Sequence, residues 1–322
     1  MTECLMKKDL LEEILRNTFN KDYKVIAITR LLGGAQKGTY KVECDQGLKL
    51  VLYIWDDALS YFEAQHTAEE FTSSSAYLFK ANYELMVKHN ISVPKLYHID
   101  LSKSKAPFEY ALVEYIDGGE LEERLYNPKI DCSNSLLDLK QNLQKLHSIT
   151  SKQVGDLKYI RDESFSCKDY VKASLEQSLK YLIDNYEPIT KLKEPLIDIS
   201  QKLYEEIEER KSYHLIHFEL GPNHVMVDRQ GKTYLIDFEG MKYFDLEYEY
   251  SFLKLRFGKY YPELISLPID EKRLKYYLLG HHLNALNGAH HLLMQNYYDM
   301  DDVNQMLKSN YQAIVENYLN CS

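Results

Sequence analysis

Several features that identify common classes of protein are scarce in this sequence of 322 residues. Its five cysteines, Cys4, Cys44, Cys132, Cys167 and Cys321, form no CxxC pair, so neither a disulfide framework nor a zinc site is indicated. Reduced thiols in a cytosolic protein are the simplest interpretation. Only one tryptophan stands beside 28 tyrosines, and since the tyrosines are scattered along the chain, they do not suggest a platform for stacking bases.

Long apolar runs and dense clusters of positive charge are also missing. No apolar stretch approaches the roughly 18 residues of a transmembrane helix, and the charged N-terminal segment is unlike the apolar block of a signal peptide. The 39 Lys and Arg against 49 Asp and Glu give a net charge of −10, without the basic footprint of a nucleic-acid binder. We therefore expect a cytoplasmic protein with no nucleic-acid or membrane partner, whose acidic surface favours cationic or neutral small molecules.

What is present is 45% hydrophobic content, enough for one large or two modest cores. After an opening helix, residues 23–32, 39–44 and 48–55 have the composition of short strands. A glycine-rich turn at 33–38 separates the first two, and a tight turn at 45–47 separates the next two. These patterns predict a β-meander.

The remainder of the chain changes from strands to helices. Residues 58–89 and 134–149 favour helix, and residues 110–116 form a further predicted strand between them. The pattern predicts an α+β protein with a β-rich N-terminal lobe at 1–113, a hinge at 114–121 and a helical C-terminal lobe at 122–322.

Within the predicted helical lobe, residues 166–210 and the tail from about residue 270 favour helix. Short strands interrupt them at 214–216 with 225–227, and at 233–236, separated by a turn at 228–231, so one small hairpin is predicted here.

The segment from His217 to Asp237 has carboxylates and a possible metal ligand at a spacing that would meet the needs of phosphoryl transfer. That reaction needs a carboxylate to accept the proton of the acceptor and ligands that hold a metal against the phosphates. Glu219, His224 and Asp237 are spaced as a loop carboxylate, a ligand five residues later and a second carboxylate after a hairpin.

This segment resembles the aminoglycoside and macrolide phosphotransferase family, which includes choline-kinase-like enzymes and is related in fold to protein kinases. The family reads H-G-D-x-x-x-x-N, or His in the last place in its macrolide branch, then a hairpin and I-D-[WF]-E. This chain reads H-F-E-L-G-P-N-H and then I-D-F-E. Residues 112–121, 139–149 and 244–249 also resemble the lobe-connecting strand, a helix ending in L-H-x-[IL], and the G-D-P-x-Y-D segment.

The resemblance implies a two-lobed, protein-kinase-like fold that binds ATP or GTP with Mg²⁺ and a small-molecule acceptor. It implies Glu219 as the base, His217 as the residue that orients the loop, and Asp237 with His224 or Asn223 as metal ligands. The remaining implied residues contact the nucleotide, namely Gly33, Gly34, Lys37, Gly38, Lys49, Glu114 and Tyr115. From the residues alone, the glycine turn is equally a hairpin turn that needs positive φ, and Lys37 a solvated lysine.

Three positions depart from the family pattern. Glu219 replaces the catalytic aspartate, and His224 offers an imidazole where Mg²⁺ prefers oxygen. The third strand carries Tyr53 where the family has a Lys or Arg that contacts the α- and β-phosphates, and Lys49 precedes Tyr53 by roughly 13 Å along the strand. The glutamate that pairs with the family's basic residue has no single candidate among Glu63, Glu69, Glu70 and Glu84.

Four histidines, His281, His282, His290 and His291, lie in one predicted helix, but their spacing is not the i, i+4 of a metal-binding pair. We expect them to line the acceptor pocket or to pack against the catalytic loop.

Three hypotheses follow from these residues. The first is an active small-molecule kinase, with an antibiotic or a metabolite as acceptor. The second is a catalytically impaired nucleotide- or ligand-binding protein of the same fold. The third is transfer of a nucleotidyl group. Glu219 favours the first and Tyr53 the others.

Overall fold

The computed structural model describes residues 4–31, 37–56, 75–162, 164–295 and 299–320. The chain divides into two compact units that alternate along the sequence. Unit 1 comprises Met1–Leu146, Asp156–Lys158 and Pro222–Met241, and unit 2 comprises His147–Gly155, Tyr159–Gly221 and Lys242–Ser322. The predicted lobe boundaries, 1–113, 114–121 and 122–322, do not coincide with these units and stay a prediction.

The strands, in chain order, are β1 (Val25–Arg30), β2 (Gly38–Cys44), β3 (Lys49–Trp55), β4 (Leu96–Asp100), β5 (Glu109–Glu114), β6 (Gly118–Glu120), β7 (Thr150–Ser151), β8 (Tyr213–Ile216), β9 (Val225–Asp228), β10 (Thr233–Leu235) and β11 (Lys242–Phe244). The α-helices are α1 (Lys8–Phe19), α2 (Ala76–Lys88), α3 (Leu121–Tyr126), α4 (Ser133–His147), α5 (Cys167–Asn185), α6 (Glu187–Thr190), α7 (Lys193–Glu205), α8 (Leu246–Phe257), α9 (Tyr261–Leu264), α10 (Glu271–Met294) and α11 (Met300–Ile314). Among the helices that the structure describes, none has the length and apolar character needed to cross a membrane.

The N-terminal strands of unit 1 form one antiparallel sheet in the order β1-β2-β3-β5-β4, so the predicted meander is confirmed. On one face, Leu50, Leu52 and Ile54 of β3 are fully buried in a core that includes Leu11 and Leu15 of α1. Alternation along the strand directs the remaining β3 side chains to the opposite face. The central strand is therefore buried on both faces, which explains its nearly continuous apolar sequence.

The opposite face of β3 packs against α2. The ring of Phe79 lies 5.6 Å from that of Tyr53 and 5.4 Å from that of Trp55, measured between centroids. Helix α2 begins at Ala76 after Ser75, whose side chain accepts the N–H of Leu78 as an N-cap. The N-terminal part of the predicted helix at 58–89 lies outside the described residues as far as residue 74.

A second antiparallel sheet of unit 1 has the order β10-β9-β6. Gly118 of β6 is required here, because a Cβ atom at that position would lie 1.8 Å from the carbonyl oxygen of Val227.

The predicted small hairpin is found as β9 and β10, which pair antiparallel. Strand β8 pairs with β7 and β11 in unit 2, whereas β9 pairs with β6 and β10 in unit 1. Residues 217–224 between β8 and β9 contain Pro222 in a 3₁₀ turn and do not form a tight hairpin. The strand that pairs with β8, β11, was not recognised in the sequence because it has only three residues.

Unit 2 is mainly helical, as expected for 166–210 and for the tail. Its longest helix, α10, packs against α5, α8 and α11. Gly280 of α10 allows the close approach of α5, because a Cβ atom there would lie 3.2 Å from Cγ1 of Val171. Two of the irregular segments contain the residues singled out in the sequence, residues 236–241 in unit 1 and residues 217–221 in unit 2.

Candidate active site

The hairpin of β9 and β10 positions Asp237 in unit 1. The N–H of Ile236 donates to the carbonyl oxygen of His224 at 3.0 Å, which joins the end of the hairpin to its beginning. Asp237 then adopts a left-handed conformation with φ 59° and ψ 40°, and a 3₁₀ turn follows from Phe238 to Gly240. Left-handed backbone is tolerated by aspartate better than by most residues. The turn leaves the Asp237 side chain 47% exposed.

Two other polar side chains meet at Asp237. The ammonium of Lys37 lies 2.7 Å from Oδ1, and Nε2 of His224 lies 3.5 Å from Oδ2. The predicted metal ligands Asp237 and His224 are therefore brought together. Asn223, the alternative ligand, is half-buried next to His224 in the 3₁₀ turn Pro222–His224. Among the residues described, no three His, Cys, Asp or Glu side chains form a complete set of metal ligands.

Lys37 is buried, with 7% of its surface exposed. Besides Asp237, its ammonium contacts the buried carboxylate of Glu239 and lies 4.9 Å from the centroid of the Tyr53 ring. Burial opposes the charge of the lysine, but the carboxylates of Asp237 and Glu239 outweigh it and raise the pKa of Lys37. The solvated lysine considered from the sequence is thus a buried, charged one.

Tyr53 remains neutral in these surroundings. Burial raises the pKa of its phenol to about 12, and the nearby Lys37 only partly offsets this effect. A neutral ring beneath an ammonium is a favourable cation–π arrangement. The ring of Tyr53 therefore supports the ammonium of Lys37, which directly precedes β2.

Helix α2 holds the turn after Asp237 through its buried residue Asn82. The Nδ2 group of Asn82 donates to the carbonyl oxygens of Phe238 at 2.7 Å and Glu239 at 3.2 Å. Phe79, one helical turn earlier, stacks on Phe238 with 5.0 Å between centroids. Asn82 was not identified from the sequence, because a single asparagine in a helix carries no motif.

The other predicted nucleotide contacts form a separate group. The ammonium of Lys49 lies over the ring of Tyr115 at 5.9 Å, and that of Lys41 lies over the same ring at 5.1 Å. Glu114 accepts the N–H of Lys95 at 3.1 Å. Gly38 begins β2 next to Lys37, whereas the other two predicted loop glycines, at 33 and 34, lie outside the described residues.

In unit 2, the loop after β8 carries His217 and Glu219. His217 is fully buried, and Glu219 is exposed. Glu249 of α8 is buried beneath the loop, where it accepts the N–H of His217 at 3.3 Å and that of Phe218 at 2.9 Å. His147 Nε2 lies 3.8 Å from the same carboxylate. Glu249 thus fixes the backbone that carries Glu219.

Glu249 stays ionised despite its burial. Desolvation acts to raise its pKa, but the nearby imidazoles of His147 and His217 and the N–H of Phe218 together lower the pKa below its usual value. A charged acceptor makes stronger hydrogen bonds to backbone N–H groups than a neutral one. Glu249 is the last residue of the 244–249 segment, which resembles the family's G-D-P-x-Y-D.

Phe218, between His217 and Glu219, has a φ of 81°, which is rare for a residue with a side chain. Its ring is stacked on that of Tyr248 with 4.5 Å between centroids, and the buried ammonium of Lys242 lies 3.5 Å from the centroid of the Phe218 ring. These contacts offset the backbone strain. The phosphotransferase pattern H-G-D has glycine at this place, which is the signal that could have identified the strained position.

The histidines of α10 have separate partners. His281 Nε2 donates to the carbonyl oxygen of Tyr248 at 3.3 Å, so this residue supports the ring on which Phe218 stacks. His282 pairs with Asn310, His290 with the hydroxyl of Tyr181, and His291 stacks on the same tyrosine. The contacts of His281 are with Tyr248 and Phe252 of α8, so its link to the catalytic loop runs through Tyr248, and the expected packing against the loop stays a prediction.

Comparisons with known proteins identify a family and a fold for this chain. The model of a family described as the phosphotransferase enzyme family matches residues 27–278. A comparison with curated protein sequences finds no match. Among solved structures, a thermostable mutant of aminoglycoside phosphotransferase APH(4)-Ia, apo form, is similar with a TM-score of 0.62 and 16% identity, over 96% of this chain and 99% of that chain.

Two further structures have the same fold. Spectinomycin phosphotransferase APH(9)-Ia in complex with ADP and spectinomycin has a TM-score of 0.60 and 14% identity, over 94% of each chain. Choline kinase LicA from Streptococcus pneumoniae has a TM-score of 0.59 and 17% identity, over 95% of this chain and 98% of that chain. The predicted α+β, protein-kinase-like fold class is confirmed.

Proposed function

The chain belongs to the phosphotransferase enzyme family, as the sequence predicted, and on that premise we propose that it transfers the γ-phosphate of ATP or GTP to a hydroxyl group of a small molecule. The observation that carries the proposal is the Asp237 carboxylate, which is half-exposed and in contact with Lys37 and near His224. Phosphoryl transfer depends on positioning and on charge neutralisation at the phosphates, and this cluster offers both.

Asp237 is the main protein ligand that we assign to Mg²⁺. Magnesium in phosphotransferases is held by one or two carboxylates, while phosphate oxygens and waters complete its shell. A single carboxylate that is 47% exposed fits that requirement. The second ligand is Asn223, whose amide oxygen is a hard donor, or His224, whose imidazole suits softer metals. When bound, the metal ion supplies positive charge to the phosphate oxygens.

Glu219 is the base in this proposal. It accepts the proton of the acceptor hydroxyl while that oxygen bonds to the γ-phosphorus, and the bond from phosphorus to the bridging oxygen breaks to leave a nucleoside diphosphate. Its exposed carboxylate follows directly after backbone that is fixed by Glu249. Since Glu219 is one methylene longer than aspartate, correct placement of the loop is decisive, because an error of about 1 Å can cost about a hundredfold in rate.

The acceptor that we propose is a small hydroxylated compound, either an antibiotic or a metabolite. The similar structures suggest this class, since they include complexes with hygromycin B and with spectinomycin, and a choline kinase. Nucleotide binding is supported in the same way by the ADP in two of these complexes. The predictions of cytoplasmic localisation and of no nucleic-acid or membrane partner remain expectations from composition.

A binding protein without turnover is the second candidate. The observation that favours it is Tyr53, a buried neutral ring on β3 where the family has a cation. The two candidates agree on nucleotide binding and differ in turnover.

The deciding experiment measures melting temperature and nucleotide consumption with Mg²⁺ and ATP or GTP, across a panel of aminoglycosides, macrolides, sugars and amino alcohols. We expect nucleotide to raise the melting temperature and at least one acceptor to accelerate consumption. Glu219→Gln and Asp237→Asn should each lower that turnover by at least about a hundredfold.

Matched controls separate these effects from general damage. Glu208→Gln changes an exposed glutamate of unit 2, and Asp228→Asn changes an aspartate that shapes the turn of the same hairpin as Asp237. Both should keep most of the activity. Nucleotide binding without acceleration by any acceptor would favour the binding protein, and equal turnover in Glu219→Gln, Asp237→Asn and the wild type would refute the assigned site.

A further inference from the structure

Strand β3 lacks the basic residue that the family has at the position of Tyr53, and Lys37, which directly precedes β2 of the same sheet, provides a positive charge there. The ammonium of Lys37 lies over the ring of Tyr53, 4.9 Å from its centroid, although the two residues belong to different parts of the chain. In the sequence of β3 alone, the basic residue is missing at position 53. The structure instead contains a buried positive charge directly over the residue that stands in the lysine's place.

The register of β2 and β3 explains how Lys37 reaches this position. Thr39 is the cross-strand partner of Tyr53, and Lys37 precedes Thr39 by two residues, which puts it on the same face. Diagonal neighbours on one face of a sheet are about 7–8 Å apart, within reach of a long side chain. A lysine at 37 and a lysine at 53 can therefore deliver an ammonium to the same region.

The carboxylate that pairs with Lys37 also comes from a different element than the family pattern suggests. Glu84, the described candidate in α2, is exposed on the helix surface and pairs loosely with Lys80 at 3.9 Å. The carboxylate that contacts Lys37 in the interior belongs to Glu239, whose side chain is 3% exposed. Helix α2 contributes Asn82 instead, and its amide donates to the carbonyl oxygen of Glu239.

The exposures show which end of the cluster is open to a ligand. Glu239 and Lys37 are buried at 3% and 8% side-chain exposure, whereas Asp237 is exposed at 47%. Glu239 therefore contacts Lys37 on the buried side of the cluster, and Asp237 lies on the side that solvent or a ligand can reach. A second oxygen of Glu239, Oε2, is buried and accepts no hydrogen bond from the residues described.

We propose that Lys37 is the phosphate-contacting cation of this protein, with Tyr53 as its support and Glu239 as its orienting carboxylate. This inference rests on the proposed function, and it specifies how the phosphates are recognised. A lysine suits the position because its ammonium is compact, whereas the planar guanidinium of arginine needs a wider space between the ring and the carboxylates.

The experiment compares the affinities of ATP and adenosine by calorimetry in the presence of Mg²⁺. Lys37→Met keeps the apolar stem and removes the charge, so ATP affinity should fall by at least about thirtyfold, as expected for the loss of a charge-assisted hydrogen bond. Adenosine has no phosphate, and its affinity should change by less than about twofold. Lys24→Ala is the matched control, since Lys24 forms an ion pair with Glu12 in the same unit, and it should leave both affinities unchanged.

The rescue variant is Lys37→Met combined with Tyr53→Lys, which places an ammonium on β3. We expect it to recover at least about tenfold of the lost ATP affinity. Should Lys37→Met fail to fold, because it leaves Glu239 buried without its cation, Lys37→Met with Glu239→Gln removes that charge and should show the same selective loss.

The outcomes separate the two claims. If the wild type binds neither ATP nor GTP, the proposed function is wrong and this inference with it. If the wild type binds ATP but the Lys37 variants bind it equally well, only this inference is overturned. Equal losses of ATP and adenosine affinity would also overturn it, because they would indicate a structural role.

Discussion

Glu249 accepts the backbone N–H of Phe218 at 2.9 Å, and this bond fixes the residue that precedes the proposed base. The same carboxylate accepts the N–H of His217 at 3.3 Å. One buried glutamate of α8 therefore determines the path of the catalytic loop in unit 2.

Replacement of Glu249 tests this anchor. Glu249→Ala leaves two buried N–H groups without an acceptor, and each such group costs about 1–3 kcal/mol. We expect a loss of about 2–5 kcal/mol in the free energy of unfolding, measured by urea denaturation. Glu208→Ala, at an exposed position of the same unit, should cost less than about 0.5 kcal/mol. Equal effects of the two substitutions would contradict the anchoring role.

Phe218 allows a direct measurement of backbone strain. Both Phe218→Ala and Phe218→Gly remove the ring, but only glycine adopts the φ of 81° without a steric cost. We expect the glycine variant to be more stable than the alanine variant by about 1 kcal/mol in urea unfolding. At Tyr243 in β11, where φ is not positive, the order should be reversed. Alanine more stable than glycine at both positions would show that residue 218 is unstrained.

Stability should depend on pH through His281. Burial lowers its pKa from 6.5 to about 4, the Tyr248 carbonyl and Glu249 act in the opposite direction, and His282 adds to the lowering. Between pH 6.5 and 4 the unfolded chain binds the proton more readily than the folded chain, so stability is complete above pH 6.5 and declines as the pH falls. The shift corresponds to up to about 3 kcal/mol.

His281→Gln is the matching substitution. The ring contacts with Tyr248 and Phe252 are lost, so its overall stability should be lower at every pH. The slope of the unfolding free energy against pH between 6.5 and 4 should nevertheless be smaller than in the wild type. The lowered pKa of His282 leaves a residual slope. An unchanged slope in the variant would remove His281 from this effect.

Asn82 links α2 to the turn after Asp237. Asn82→Ala removes both hydrogen bonds to the turn and should lower the unfolding free energy by about 1–3 kcal/mol. It should also reduce the rise in melting temperature that Mg²⁺ and ATP produce, because the Asp237 carboxylate is no longer fixed. Lys80→Ala, on the exposed side of α2, is the control. If both variants respond to ATP as the wild type does, the turn does not depend on Asn82.

The parts of this protein that the sequence predicts are those that depend on local pattern. The strands of the meander follow from alternation and turn residues, and the segment from His217 to Asp237 follows from spacing. The family and the fold class, both inferred from these motifs, are confirmed.

The parts that the sequence does not predict depend on distant contacts. Lys37 and Asp237 are separated by 200 positions along the chain and meet only through the folding of unit 1. The strained backbone of Phe218 is compensated by Lys242 and Tyr248, which contact its ring and are distant in the sequence. The pairing of β8 with β11 is not predictable from the sequence, because β11, with three residues, is too short to give a periodic signal.

The most direct test of the proposed function follows the γ-phosphate itself. Nucleotide labelled in that phosphate is incubated with Mg²⁺, the protein and the acceptor panel, and the label is located by chromatography and mass spectrometry. We predict that the wild type transfers the label to the hydroxyl of at least one small molecule, and that Asp237→Asn does so at least about a hundredfold more slowly. Label that reaches no acceptor in the panel, or that is transferred equally by the wild type and Asp237→Asn, would contradict the account.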